Sequence, residues 1–302
     1  MSGMLISFTA RRSPPAQRHL CKPCLAILLL AIALRLYQLD AQSIWIDEGI
    51  SLHLATSALD EIVADRAANI HPPLYFFLLK GWLALTGVNT WTARSLSAMA
   101  SLLQVVTIYA VAHRWLGSST ARIAALITAL SPLSVIYAQE IRTYAILPLI
   151  YLALIDITRR VVSPPSLMNK LPEGIKPSPR HGSTWLLLGA VEVIGLHLHY
   201  TTIFLIAYVS GWSVLSLWHS KRWADLRRWL TVQLLVGLAS LPWLVTTLSN
   251  WSAAQAEATA GTAMAQFPPL DYLLAQIWVF HVTGRAGALG LSLIHISEPT
   301  RP

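Results

Sequence analysis

Long apolar runs, separated by short links that hold most of the basic residues, constrain this chain more than any other feature. Eight runs can be marked, at approximately 24–39, 95–112, 121–137, 143–158, 183–199, 201–218, 229–248 and 271–290. Each approaches the ~20 residues that carry a helix across ~30 Å of hydrocarbon, and the shorter ones need interfacial anchoring. In lipid every backbone N–H and C=O must be satisfied internally, so runs of this length are helical. Composition agrees: 55% of the 302 residues are hydrophobic and 12% are charged, against ~25% charged in soluble domains. The expected fold is an all-α integral membrane protein, a helical bundle of about eight spans. A net charge of +8 does not point to nucleic acid here, because the basic residues form no continuous face.

The links set the orientation. The segment 1–23 carries Arg11, Arg12, Arg18 and Lys22 and is expected in the cytoplasm, followed by a retained first helix. Link 40–71 has Asp40, Asp47, Glu48, Asp60, Glu61 and Asp65 against Arg66 alone and falls outside. Links 159–182 and 219–228 bring Arg159, Arg160, Lys170, Lys176, Arg180, Lys221, Arg222, Arg227 and Arg228 and fall inside, as does Arg114. This sidedness obeys the positive-inside rule only if the short apolar stretch 72–86, with Lys80 in its middle, lies at the interface. The first outer loop then runs over 40–94 and bears interfacial helices. Cys21 and Cys24 read as membrane-edge thiols without a metal or redox role.

With that orientation the polar residues gather on one face. Asp47 and Glu48 follow the first span, His71 precedes the interfacial helix, and Arg94 begins the second span. Glu140, Arg142 and Tyr144 occupy the second outer link, and His199 and Tyr200 the third. Singly, each has a bland reading: solvated loop acids, a snorkelling arginine, aromatic-belt side chains. Glu192 differs, being an ionisable group near the middle of a span, where it needs a partner or a function. Outside the cytoplasm there is no nucleotide-sugar pool, and the chain has no glycine-rich phosphate cradle. A transferase on that face must use an activated group carried across on lipid. Arginine suits its phosphate, and a carboxylate suits the general base for an acceptor hydroxyl. A transporter or lipid flippase is the alternative, predicting internal repeats and ionisable residues along a transmembrane path.

Trp45-Ile46-Asp47-Glu48, His71-Pro72-Pro73-Leu74-Tyr75-Phe76, Arg94-Ser95-Leu96-Ser97-Ala98, Ser131-Pro132, the run Tyr137 to Tyr144 and the His199-Tyr200-Thr201 turn follow one another with consistent spacing. This ordered set, over about residues 20–220, resembles the GT-C superfamily of membrane glycosyltransferases, in its family-39, protein-mannosyltransferase-like and RgtA/B/C/D-like branch. The resemblance implies an inverting transferase at the outer face of a bacterial inner membrane. It implies a polyprenyl-phosphate sugar as donor and a hydroxyl on a glycan, lipid or protein as acceptor. Asp47 takes the place of the catalytic base, and Glu48 beside it is the second catalytic candidate. Arg142, His71, Arg94, Glu140, Tyr144, His199 and Tyr200 are the candidate donor-phosphate and substrate contacts. No cofactor is expected beyond the lipid-linked donor; a divalent metal is compatible, but no ligand set points to one. The expected catalytic domain spans 24–290. Residues 291–302 resemble translated sequencing-adapter sequence, so the expectation is a C-terminally truncated chain without its acceptor-selecting portion.

Overall fold

A computed structural model describes residues 22–69, 71–163 and 182–261. The apolar run expected at 271–290 and the tail at 291–302 lie outside them. The described residues form helices α1 (Lys22–Leu36), α2 (Ile46–Thr56), α3 (Leu59–Ala68), α4 (Leu74–Thr86), α5 (Thr90–Leu116), α6 (Ser118–Leu130), α7 (Pro132–Ala138), α8 (Leu147–Val162), α9 (Gly182–Leu198), α10 (Thr202–His219) and α11 (Trp223–Gly261). A single 3₁₀ turn, Thr143–Ala145, precedes α8.

The all-helical membrane character is met; the number of spans is met only in part. Among the described residues α5, α10 and residues 223–250 of α11 are long and apolar enough to cross a bilayer. The bent pair α6–α7 makes a fourth if counted as one span. The helices α1, α8 and α9 have 15, 16 and 17 residues. At ~1.5 Å per residue they reach roughly 22–26 Å. Leu230, Leu234, Leu238, Leu241 and Leu248 stand exposed on α11. In water such a stripe would be a liability, whereas lipid solvates it.

Local chemistry explains the breaks. Ser131 caps α7, with its hydroxyl accepting from the Ser134 N–H, and Pro132 occupies the first turn. Proline has no N–H to give the Thr128 carbonyl, so the helix turns by 58° between α6 and α7. Arg35, fully buried near the end of α1, fills the gap. It donates to the carbonyls of Thr128 and Ala129 at 3.0 Å each, to Ser134 Oγ at 3.0 Å and to Ser101 Oγ at 2.8 Å. Nothing in the sequence pattern singled out this arginine. The apolar helix α4 keeps Lys80 because its ammonium reaches back to the Ser57 carbonyl at 2.6 Å, just beyond the end of α2. At the start of α5, Asn89 and Thr92 cap each other reciprocally.

Three apolar clusters hold the bundle. One joins α8 to α11 around Leu154, Leu188, Val209 and Trp229. A second, around Leu54, Ile62, Phe76, Leu79 and Ile141, packs α2, α3 and α4 beneath the loop that follows α7. A third joins α1, α5 and α6 through Ala31, Val105, Ala125 and Ala129. Small residues let the helices approach, as at Gly195 in α9. A Cβ built there would lie 2.6 Å from Thr202 Cγ2 and 3.0 Å from Ile150 Cγ2. Gly195→Ala is therefore expected to destabilise the bundle by about 1–3 kcal/mol through overpacking. The measurement is thermal unfolding in detergent, and an unchanged midpoint would refute the tight crossing.

The far ends of α5 and α8 form a basic junction. Asp156 accepts from Arg114 at 2.5 Å, from the Trp115 indole at 2.7 Å and from Arg160. Arg222, held by Asp225, caps α8 through the carbonyls of Val161 and Val162. Glu192 is buried between α9 and α11 and takes Gln233 Nε2 at 2.9 and 3.1 Å. That makes it one half of an interhelical polar pair. Cys24 is disulfide-bonded, where the sequence reading has free thiols.

Candidate active site

The opposite ends of the same helices gather most of the expected site. Asp47 and Glu48 are consecutive in the first turn of α2, about 100° apart around the helix, so they face different surroundings. Glu48 points inward and is fully buried. It accepts a two-pronged bond from Arg94, Nε to Oε1 at 2.9 Å and Nη2 to Oε2 at 2.7 Å. Its Oε1 also takes the Ile141 N–H at 2.9 Å. Arg94 spends its remaining donors on the carbonyls of Leu39 and Gln42 at 3.0 Å each and Ser43 at 3.4 Å. The pair thus ties together the link after α1, the start of α2 and the loop after α7. Gln139 adds a second tie, donating to the carbonyls of Leu34, Arg35 and Tyr37 at the end of α1.

Asp47 faces outward, its side chain 36% accessible, and pairs with Arg142 Nη1 at 3.2 Å. Arg142 lies 5.7 Å from the Trp45 ring centre and 5.5 Å from that of Tyr144, so two aromatic rings flank the guanidinium. Asp47, Glu48, Arg94, Glu140, Arg142, Tyr144 and Trp45 all line one open cleft of about 850 Å³. Burial, with the neighbouring Glu48 charge, pushes the Glu140 carboxyl up to about 7. Arg142 and Arg94 oppose that shift.

Arg142 and Tyr144 also line a small recess of about 50 Å³, behind the cleft, with His71, His199, Ser51, Tyr75 and Thr143. His71 Nδ1 lies 2.6 Å from the Asn69 carbonyl. His199 Nδ1 lies 2.8 Å from Thr201 Oγ1 and 3.2 Å from the Thr201 N–H, so the ring is held by its own turn. Burial, then the positive neighbours His71 and Arg142, lower the His199 pKa. An anion in the recess would offset the repulsion from Arg142, while the burial would remain.

Tyr200 is not brought to this place. Its hydroxyl joins Trp243 Nε1 at 3.0 Å and Thr247 Oγ1 at 2.9 Å, which docks the turn before α10 onto α11. Sequence reasoning missed Trp45 and Tyr137 as cleft walls, and Ser51, Tyr75 and Thr143 in the recess. Trp45, Tyr75 and Tyr137 stand inside the quoted motifs, whereas Ser51 carries no signal beyond lying one helical turn after Asp47. Among the described residues, no three His, Cys, Asp or Glu side chains gather in an arrangement that could hold a metal ion.

No curated protein matches the chain. A family model does match, over residues 70–168, and its description is dolichyl-phosphate-mannose-protein mannosyltransferase. The matched stretch contains His71, Arg94, Glu140, Arg142 and Tyr144, and leaves Asp47, Glu48, His199 and Tyr200 outside. Over that stretch, about a third of its length, the chain is similar to this family of mannosyltransferases, and the match supports the GT-C, mannosyltransferase-like resemblance carried by the outer-loop motifs.

Proposed function

We propose that the chain is a membrane glycosyltransferase that moves a sugar from a polyprenyl-phosphate donor to an acceptor hydroxyl with inversion, and that Asp47 is the general base. The observation that carries this reading is the Asp47–Arg142 pair at 3.2 Å on the wall of an open cleft. It sets a carboxylate that can take a proton beside a guanidinium that can take a phosphate.

In this mechanism the donor phosphate competes with Asp47 for Arg142. Once the guanidinium turns to the phosphate, Asp47 is released from the pair and faces the acceptor hydroxyl. The acceptor O–H bond breaks, its proton passes to Asp47, and the oxygen attacks the anomeric carbon from the side opposite the phosphate. The carbon–oxygen bond to the phosphate breaks, and the charge it gains is met by Arg142 and by the His71–His199 recess. Glu48 and Arg94 act as positioning residues, since each is buried and engaged on all sides. The transporter reading draws no support from Glu192, which has a local partner in Gln233.

The test of the activity is transfer from polyprenyl-phosphate sugars to membrane acceptors by the full chain in lipid vesicles. Release of polyprenyl phosphate without glycosylated product, or no turnover with any donor, would overturn it. The side of the membrane is a separate proposal: the cleft opens outside the cytoplasm, and the junction of Arg114, Arg160 and Arg222 faces in. With Cys21 and Cys24 replaced by serine, a membrane-impermeant thiol reagent on intact cells should label Asp60→Cys and spare Lys221→Cys. The reverse pattern would invert the orientation and remove the argument for a lipid-borne donor.

A further inference from the structure

The cleft walls carry three carboxylates, Asp47, Glu48 and Glu140, against two guanidiniums, Arg94 and Arg142. Arg94 is committed to Glu48 by two hydrogen bonds, and Arg142 to Asp47 at 3.2 Å. Among the described residues no cation forms an ion pair with Glu140. With all five groups ionised the cleft carries one surplus negative charge, and an anionic donor would add a second. Two anions within a few ångströms of each other in a partly desolvated cleft repel strongly.

Resting on the donor reading above, we propose that Glu140 binds the donor phosphate as a neutral carboxylic acid, so that donor binding takes up a proton at this side chain. As an acid, Glu140 removes the surplus charge and gains an O–H that can donate to a phosphate or sugar oxygen. Burial and the Glu48 charge already push its carboxyl up to about 7. The groups that face it are Asp47 and Glu48 from α2, Arg94 from α5, Tyr137 from α7, and Arg142 and Tyr144 from the following loop. An arriving phosphodiester adds negative charge and raises the carboxyl further. The sign follows: binding is tightest below about 7. Above that it weakens, by up to about tenfold per pH unit, until the carboxyl of the complex itself ionises. His199 lines the adjoining recess and not the cleft, and burial with the neighbours His71 and Arg142 lowers its pKa from the ordinary 6.5, so its titration lies below the range tested.

The test uses the full chain in nanodiscs and a short-chain polyprenyl methyl phosphodiester, whose single charge does not titrate in the neutral range. Titration calorimetry at pH 7.5 in buffers of different ionisation enthalpy should show net proton uptake by the parent protein. The apparent Kd should rise between pH 7 and 8.5, and Glu140→Gln should bind with little pH dependence. Absent proton uptake, or the same slope in Glu140→Gln, would overturn the inference while leaving Asp47 and the transfer reaction standing. If the parent binds no phosphodiester at any pH, the polyprenyl-phosphate reading fails and this inference falls with it. The calorimetry on the parent protein decides the point even if the variant folds poorly.

Discussion

Asp47→Asn is expected to lower kcat by about 10²–10⁴-fold, the range that a positioned general base contributes. Its thermal stability should stay within about 1 kcal/mol of the parent. The two halves of that result separate chemistry from structure. The Asp47–Arg142 pair is partly open to solvent, at 36% and 26% side-chain accessibility. Ion pairs of that kind contribute roughly 0–1 kcal/mol. Asparagine keeps the shape and can still accept from Arg142, but it cannot hold a proton delivered by the acceptor. Donor binding should persist, because the amide no longer competes as an anion for the guanidinium. Single-turnover assays with labelled polyprenyl-phosphate sugar, alongside unfolding in detergent, give both readings. Transfer at the parental rate by Asp47→Asn would remove the catalytic base from this proposal.

The neighbouring acid should behave in the opposite way. Arg94→Met is expected to destabilise the protein by about 3–5 kcal/mol, because it leaves Glu48 charged, fully buried and without its partner. Glu48→Gln should cost less, since the amide oxygen can still take the Ile141 N–H and one bond from Arg94. In the double variant Glu48→Gln with Arg94→Met, much of the Arg94→Met loss should return, as no buried charge is then left alone. Such a recovery marks a positioning pair and would not arise if Arg94 chiefly held the donor. Thermal midpoints and urea titrations in one detergent would measure it. A large loss of donor affinity in Arg94→Met at unchanged stability would instead make Arg94 a substrate contact.

The adjacent acids show how far the sequence can be read. Trp45-Ile46-Asp47-Glu48 marks a place, but the dipeptide does not say which carboxylate meets solvent. That depends on the rotation of α2, set by Leu54 and Ala55 packing against α4. Arg94 and Arg142 look equivalent in sequence as arginines at an outer boundary. Packing separates them: Arg94 is 2% accessible and surrounded by carbonyls, while Arg142 lies against two aromatic rings at the cleft wall. His199 and Tyr200 are neighbours in one turn, yet the first lines the recess and the second faces α11.

Apolar run length and the placement of basic links, local and additive properties, are enough to make this an all-helical membrane chain. They also bring Asp47, His71, Glu140, Arg142, Tyr144 and His199 to one end of it. Run length cannot foresee the break at Ser131-Pro132 being filled by Arg35, since that contact joins residues 93 to 99 positions apart. Nor can it foresee Gln139 capping α1 from more than 100 positions away. Such bonds depend on which helices come to lie side by side. They decide that one of two adjacent acids meets the cleft beside Arg142 and the other, buried against Arg94, holds the loop in place.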